Sequence, residues 1–322
     1  MSNSTEGYDP RWLQFEEKFG ARPLFQGSPE DILTQFKGLV SLITSQSPPP
    51  DPSVITDDTT ANGVPVRIYK PAHAIETGST LPIGVYFHGG GWMVGDLDSE
   101  DPWCRYITTS TPCIIVSVDY RLTPEYQMPT QLEDCLAAFH WVYNNAEDIG
   151  GCKEKIFTIG ASAGGALALL VADQLIKSKL KSYICGIIAI VPVTTHPSSP
   201  PAKLKSHYNS YISNSSGVPV IDAAVMETFF QAANAQPNDE KCFVTLSKDL
   251  GDFPPVYIAT CGKDPLRDDG VVLEMMLGEN GVKVVRDHYE GFPHYFWFFP
   301  GVEGKEIVLD NVAKGIRALL GY

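Results

Sequence analysis

Lys155-Ile156-Phe157-Thr158-Ile159-Gly160-Ala161-Ser162-Ala163-Gly164-Gly165 reads as a short buried strand, a very tight turn and the start of a helix. That helix continues through Leu167, Leu170, Val171 and Leu175. Within it, Gly160-Ala161-Ser162-Ala163-Gly164 fits the G-x-S-x-G pattern, in which a serine sits on a strained strand-to-helix turn. Holding Ser162 in a sparsely populated backbone conformation draws together the positions two before and two after it, so a side chain at either would clash. A helix starting directly after Ser162 also aims its free N–H groups and positive end at the serine. The bare pattern is common by chance; the flanking apolar strand and helix give this one its weight.

Working outward, further strand-like segments fall at residues 64–69, 83–87, 114–118, 187–193, 256–260 and 282–287. Helical patterns alternate with them around residues 103–109, 132–142, 271–277 and 307–320. Apolar strands alternating with helices predict an α/β fold with a mostly parallel central sheet covered on both faces. Two stretches depart from that rhythm. Before it, Trp12, Phe15 and Phe19 share helical spacing. Ser28 then makes a good N-cap ahead of Pro29, with Ile32, Phe36, Leu39, Val40 and Ile43 on one face. The run Ser47-Pro48-Pro49-Pro50-Asp51-Pro52 reads as a stiff linker. The second departure, residues 194–251, is too long for an ordinary connection and predicts helices of its own over the carboxyl edge of the sheet. The expected organisation is therefore N-terminal helices contributing to a cap at 1–52, core at 53–193, a cap insertion at 194–251 and core again at 252–322.

A chain of 322 residues, 43% hydrophobic and 19% charged, suits a globular protein with a large core. The formal charge of −14 argues against nucleic acid and anionic membrane as partners and favours a neutral small molecule. No apolar run is long enough to span a bilayer, and Met1-Ser2-Asn3-Ser4-Thr5-Glu6 lacks the regions of a signal peptide. The C-terminal Leu319-Leu320-Gly321-Tyr322 carries no common sorting signal. Seven scattered cysteines without a C-x-x-C pair suit reduced thiols, so the expected location is cytoplasmic.

A nucleophilic serine needs a base, an orienting acid and donors for an oxyanion. In an open α/β sheet these lie on loops leaving the carboxyl ends of the strands. His294, in Gly291-Phe292-Pro293-His294, follows the last strand and fits the base. Asp264, just after the strand at 256–260, fits the acid; Asp268 and Asp269 are rivals that fall in the first turns of the next helix, where acidic residues suit the dipole. His88-Gly89-Gly90-Gly91-Trp92 directly follows the strand at 83–87, so Gly89 and Gly90 are expected to donate N–H groups alongside Ala163. His88 itself reads as a structural residue shaping that loop.

Together, His88-Gly89-Gly90-Gly91, Gly160-Ala161-Ser162-Ala163-Gly164-Gly165, Asp264-Pro265-Leu266-Arg267-Asp268 and His294 resemble the hormone-sensitive-lipase family of α/β-hydrolases. Tyr120-Arg121-Leu122-Thr123-Pro124-Glu125 is similar to another segment of that family, taken to brace the site. The resemblance implies an α/β-hydrolase fold with a helical cap, serine carboxylesterase activity on small to medium short-chain or aromatic acyl esters, and no metal or organic cofactor. Ala161 departs from the acidic residue that many members carry before the serine, and Thr123 from a frequent alanine. Some relatives without the histidine are hormone receptors; His294 speaks against that role. Pairing of two copies through edge elements, common in the family, is left open.

Trp92, Tyr208, Tyr211, Phe229 and Phe230 are the expected walls of an apolar pocket, with residues 296–299 divided between core and wall. Asp96, Asp98, Glu100 and Asp101 lack the glycine and closing glutamate of a calcium loop and read as a solvated acidic turn. The other histidines form no ligand pattern. Two alternatives keep the fold and change the job. One is a tailoring hydrolase, acyltransferase or formamidase-like amidase for one secondary metabolite. The other is a non-catalytic receptor that closes its cap on a ligand.

Overall fold

The computed structural model describes residues 5–46 and 49–322. Met1 to Ser4 of the leader reading, and Ser47 and Pro48 of the expected linker, lie outside the described residues. The chain opens with α1 (Pro10–Phe19) and α2 (Pro29–Gln46). An antiparallel hairpin follows, β1 (Val54–Ala61) and β2 (Val64–Pro71), then the short α3 (Ala72–Thr77). The core continues as β3 (Leu81–Phe87), α4 (Asp101–Ser110), β4 (Ile114–Val118), α5 (Thr130–Asn144), β5 (Gly151–Ala161), α6 (Ala163–Lys177) and β6 (Gly186–Ile190). The insertion holds α7 (Ser210–Ser213) and α8 (Ala223–Ala233), and the chain closes with β7 (Val256–Lys263), α9 (Arg267–Glu279), β8 (Val284–Pro293) and α10 (Lys305–Leu320).

These strands form one eight-stranded sheet in the order β1-β2-β4-β3-β5-β6-β7-β8. Strand β2 runs antiparallel to both of its neighbours, β1 and β4, whereas β3 to β8 are all parallel, as the alternating pattern predicts. Every residue of β4 and β6 is buried, which is why those strands read as unbroken apolar runs. Helix α6 is buried over nearly its whole surface, including Leu167, Leu170, Val171 and Leu175. Each such large aliphatic side chain contributes about 1.5–3 kcal/mol by leaving water.

Sequence reading missed β1. Only Val54 and Ala61 at its ends are buried, and the polar Thr-Asp-Asp-Thr-Thr run between them carries no strand signal. Strand β8 also runs further than expected. It pairs with β7 as far as Lys263↔Pro293, past a register shift near Gly262, and so delivers the next residue, His294, to the edge of the site.

The expected cap at Ser28 forms, and Asp9 supplies another that the sequence reading did not name. Asp9 Oδ1 accepts from Arg11 N at 2.9 Å to start α1, and Ser28 Oγ accepts from Asp31 N at 3.2 Å to start α2. On α2 only Ile32 is buried, so Phe36 and Leu39 are left half-buried rather than consumed by the core. The segment before α2 pairs with the insertion: Phe25 N donates to Val220 O at 3.1 Å, and Val220 N to Pro23 O at 2.6 Å.

Candidate active site

Ser162 sits between β5 and α6 with φ 55° and ψ −119°, a conformation that a residue bearing a side chain rarely adopts. Its N–H donates to Ile190 O at 2.8 Å, which pins the strained turn to β6. The steric expectation for the flanking glycines holds. A Cβ on Gly160 would overlap the backbone of Gly164, and one on Gly164 would overlap the carbonyl oxygens of Phe87 and His88.

His294 leaves the end of β8 and turns back onto the loop after β7. Its Nδ1 lies 2.7 Å from Asp264 Oδ2, with both side chains buried. With a carboxylate as neighbour, Nδ1 is the donor and Nε2 keeps its lone pair. The second oxygen, Asp264 Oδ1, accepts from Leu266 N at 2.8 Å, so the carboxylate is held at both ends. The rivals are spoken for elsewhere. Asp268 Oδ2 accepts from Asn209 N and Ser210 N. Asp269 accepts from Thr194 N, Thr195 N and the Tyr208 hydroxyl. Both therefore tie the insertion to the start of α9, and burial pushes the Asp269 carboxyl up to about 7.

Ser162 and His294 open onto one hollow, whose walls include Gly89, Gly90 and Gly91. No hydrogen bond joins Ser162 to His294 among the described residues; in unliganded enzymes such contacts are often long and close with substrate.

The glycine loop corrects one expectation. Gly89 N does not face the hollow as a spare donor: it donates to Glu100 Oε1 at 2.9 Å. Gly90 (φ 107°) and Gly91 (φ 61°) instead carry N–H groups with no acceptor among the described residues. Ala163 opens α6, so its N–H is one of those a helix leaves unsatisfied. The available donors are thus Gly90, Gly91 and Ala163. Bracing comes from the segment after β4: Tyr120 donates its hydroxyl to His88 O at 2.7 Å and stacks on the His88 ring at 4.2 Å. Burial lowers the His88 pKa to about 4, so the ring is neutral and structural at physiological pH.

Glu100 is a second correction. The acidic turn at residues 96–101 is not solvated throughout, because Glu100 is only 6% exposed. It accepts from Gly89 N, from the Tyr295 hydroxyl at 2.8 Å and from the Tyr86 hydroxyl. Burial pushes its carboxyl up to about 7. A glutamate inside a run of acids gives no sequence signal of burial.

Of the expected pocket walls, only Phe229 lines the hollow. Trp92 is wholly buried against Phe230, and Phe230 also packs on Phe243. Adjacent helix positions point about 100° apart, so Phe229 and Phe230 of α8 cannot share one face. Tyr208 is drawn away by Asp269, and Tyr211 packs beside it at 6.5 Å. The other apolar walls include Phe25, Phe36 and Leu39 of the N-terminal segment, Val220 and Ile221 of the insertion, and Phe298 and Phe299, while Val94, Glu100 and Tyr295 also reach the hollow. Phe36 and Leu39 were legible as an apolar face, but nothing local says that it lines a cavity. Among the described residues no group of three or more His, Cys, Asp or Glu is placed to hold a metal ion.

A protein-family model described as alpha/beta hydrolase fold matches residues 84–298. The chain is an α/β-hydrolase of the hormone-sensitive-lipase type. This hydrolase is 42% identical to a versiconal hemiacetal acetate esterase of Dothistroma septosporum, over 97% of this chain and 95% of the other. It is 34% identical to a carboxylesterase of Mycobacterium tuberculosis, over 69% of this chain and 67% of that one. Among solved structures it is similar to a vibralactone cyclase, with a TM-score of 0.89 and 25% identity, over 100% of this chain and 97% of that chain. The α/β-hydrolase is an ester hydrolase.

Proposed function

We propose that Ser162, His294 and Asp264 are the catalytic triad of a serine carboxylesterase. The observation that carries this is the 2.7 Å contact from His294 Nδ1 to Asp264 Oδ2, made by a histidine that shares its hollow with a strained serine. His294 Nε2 takes the proton of Ser162 Oγ as that oxygen attacks the ester carbonyl. Gly90, Gly91 and Ala163 donate N–H groups to the resulting oxyanion. The alcohol leaves with the proton from His294, and water, activated by the same ring, releases the acid and restores Ser162.

The substrate we propose is a short-chain acyl ester of an aromatic or polycyclic alcohol. Supporting it are the Phe25, Phe36, Phe229, Phe298 and Phe299 walls and the similarity to versiconal hemiacetal acetate esterases over almost the whole of both chains. A tailoring role on one secondary metabolite is the second reading, favoured by the likeness to a vibralactone cyclase. A panel of generic and polycyclic acetate esters separates the two, since a tailoring enzyme is slow on the generic members.

The same proposal makes α1, α2 and residues 194–251 the cap, on the strength of the Phe25–Val220 backbone pairing. It takes the free edge of β8, where Val285 is 45% exposed, as the pairing surface of a homodimer, testable by light scattering. A cytoplasmic location fits seven cysteines that are all free thiols. No helix among the described residues is long and apolar enough to cross a membrane. Assaying Ser162→Ala with p-nitrophenyl acetate tests the central claim; undiminished turnover would refute it.

A further inference from the structure

Glu100 stands where three segments of the site meet. It occupies the N-cap position of α4, so its backbone is fixed by the start of that helix. A single oxygen, Oε1, accepts both from Gly89 N at 2.9 Å and from the Tyr295 hydroxyl at 2.8 Å. The other, Oε2, accepts from the hydroxyl of Tyr86, the next-to-last residue of β3, just before the glycine loop. Tyr295 is the residue after His294 and is held in the left-handed region at φ 57° and ψ 24°. Its ring rests directly on the glycine loop, because any side chain at Gly89 would run into the Tyr295 hydroxyl.

We propose that Glu100 is a positioning residue that fastens the oxyanion-forming glycine loop to the turn carrying His294. The inference rests on the triad reading above. One carboxyl oxygen bridges the two loops, so the donors of Gly90 and Gly91 and the imidazole of His294 hold their spacing through it. Packing alone does not account for an acid here. No ion pair compensates the charge among the described residues, and a buried carboxyl unpaired with a cation is unfavourable where an apolar side chain would fill the space. What the carboxyl supplies, and an apolar group cannot, is the pair of acceptors.

The test compares Glu100→Ala, Glu100→Gln and Tyr295→Phe with the parent chain, with Ser162→Ala as control. The readouts are kcat and KM on p-nitrophenyl acetate and the Ki of an aryl trifluoromethyl ketone, whose hemiketal carries an oxyanion. Glu100→Ala is expected to lose on the order of a hundredfold in kcat and a similar factor in ketone affinity, with KM changed by less than about threefold. Glu100→Gln keeps an acceptor for Gly89 and is expected to recover all but about tenfold of that loss. Tyr295→Phe keeps the ring, loses the tether and falls between them.

A fully active Glu100→Ala, a loss confined to KM, or equal impairment of Ala and Gln would overturn the proposal. Should Glu100→Ala fail to fold, Tyr295→Phe with parental kcat and ketone affinity would overturn it equally. Full turnover by Ser162→Ala sinks the triad and this proposal together. An inactive Ser162→Ala beside a fully active Glu100→Ala sinks this proposal alone.

Discussion

Replacing Asp264 by asparagine changes one atom and confronts the site with a choice it cannot satisfy. Each carboxylate oxygen has its own donor: Oδ1 takes Leu266 N at 2.8 Å and Oδ2 takes His294 Nδ1 at 2.7 Å. Asparagine has only one acceptor oxygen. If that oxygen serves Leu266, the amide NH₂ faces Nδ1, forcing the imidazole proton onto Nε2, where it can no longer accept from Ser162. If the oxygen serves His294 instead, Leu266 N–H is left buried against another donor, at a cost of about 1–3 kcal/mol. Asp264 is wholly buried, so water cannot relieve either conflict. The expected loss is on the order of 10⁴-fold in kcat, the size found when such a change leaves the rest of a triad in place. At about 1.4 kcal/mol per tenfold, that amounts to roughly 5–6 kcal/mol of transition-state stabilisation. Initial rates on p-nitrophenyl acetate would measure it, with a thermal melt to show that the variant folds. A folded Asp264→Asn with kcat within tenfold of the parent would refute the reasoning.

Gly164→Ala forces a Cβ into the carbonyl oxygens of Phe87 and His88, so the turn must open; a melting temperature equal to the parent's would contradict the close approach. Phe229→Ala and Phe230→Ala should separate cleanly: the first enlarges the hollow and raises KM for aryl esters, whereas the second empties core and costs about 3–5 kcal/mol in denaturant unfolding. Asp269 has a native pKa raised by burial from 3.8 to about 7, so the folded state holds its proton over a range where the unfolded chain has lost it. Its contribution is therefore complete below about pH 4 and declines as pH rises through 7. Glu100 is raised in the same direction, so Asp269→Asn should flatten the fall in stability between pH 5 and 8 without abolishing it; an unchanged slope in urea titrations would count against the assignment.

Several features were readable because their physical cause is local. The apolar runs of β3, β4 and β6 are strands buried on both faces, and burial on both faces leaves no polar alternation to interpret. Gly160 and Gly164 declared the turn because only a missing Cβ lets the backbone at those two positions touch. The start of α2 was written in one residue, Ser28. Where the expected strands ended too early, as at β8, polar residues such as His288 and Glu290 hid backbone pairing that depends on the neighbouring strand rather than on side chains.

The chain's own residues thus determined the parallel sheet and the serine turn, because periodicity and glycine sterics act over a few positions; they offered His294 with Asp264 as its partner, and only the structure shows the rivals Asp268 and Asp269 engaged elsewhere. Which donors remain for an oxyanion, which aromatic rings face the hollow, and that Glu100 is buried between two loops were decided only by the tertiary structure. Those outcomes depend on which distant groups claim each hydrogen bond and each packing contact: Glu100 takes the Gly89 N–H, Asp269 takes the Tyr208 hydroxyl, and Phe243 packs on Phe230. Competition between residues far apart in number leaves no mark on either one's neighbours in sequence.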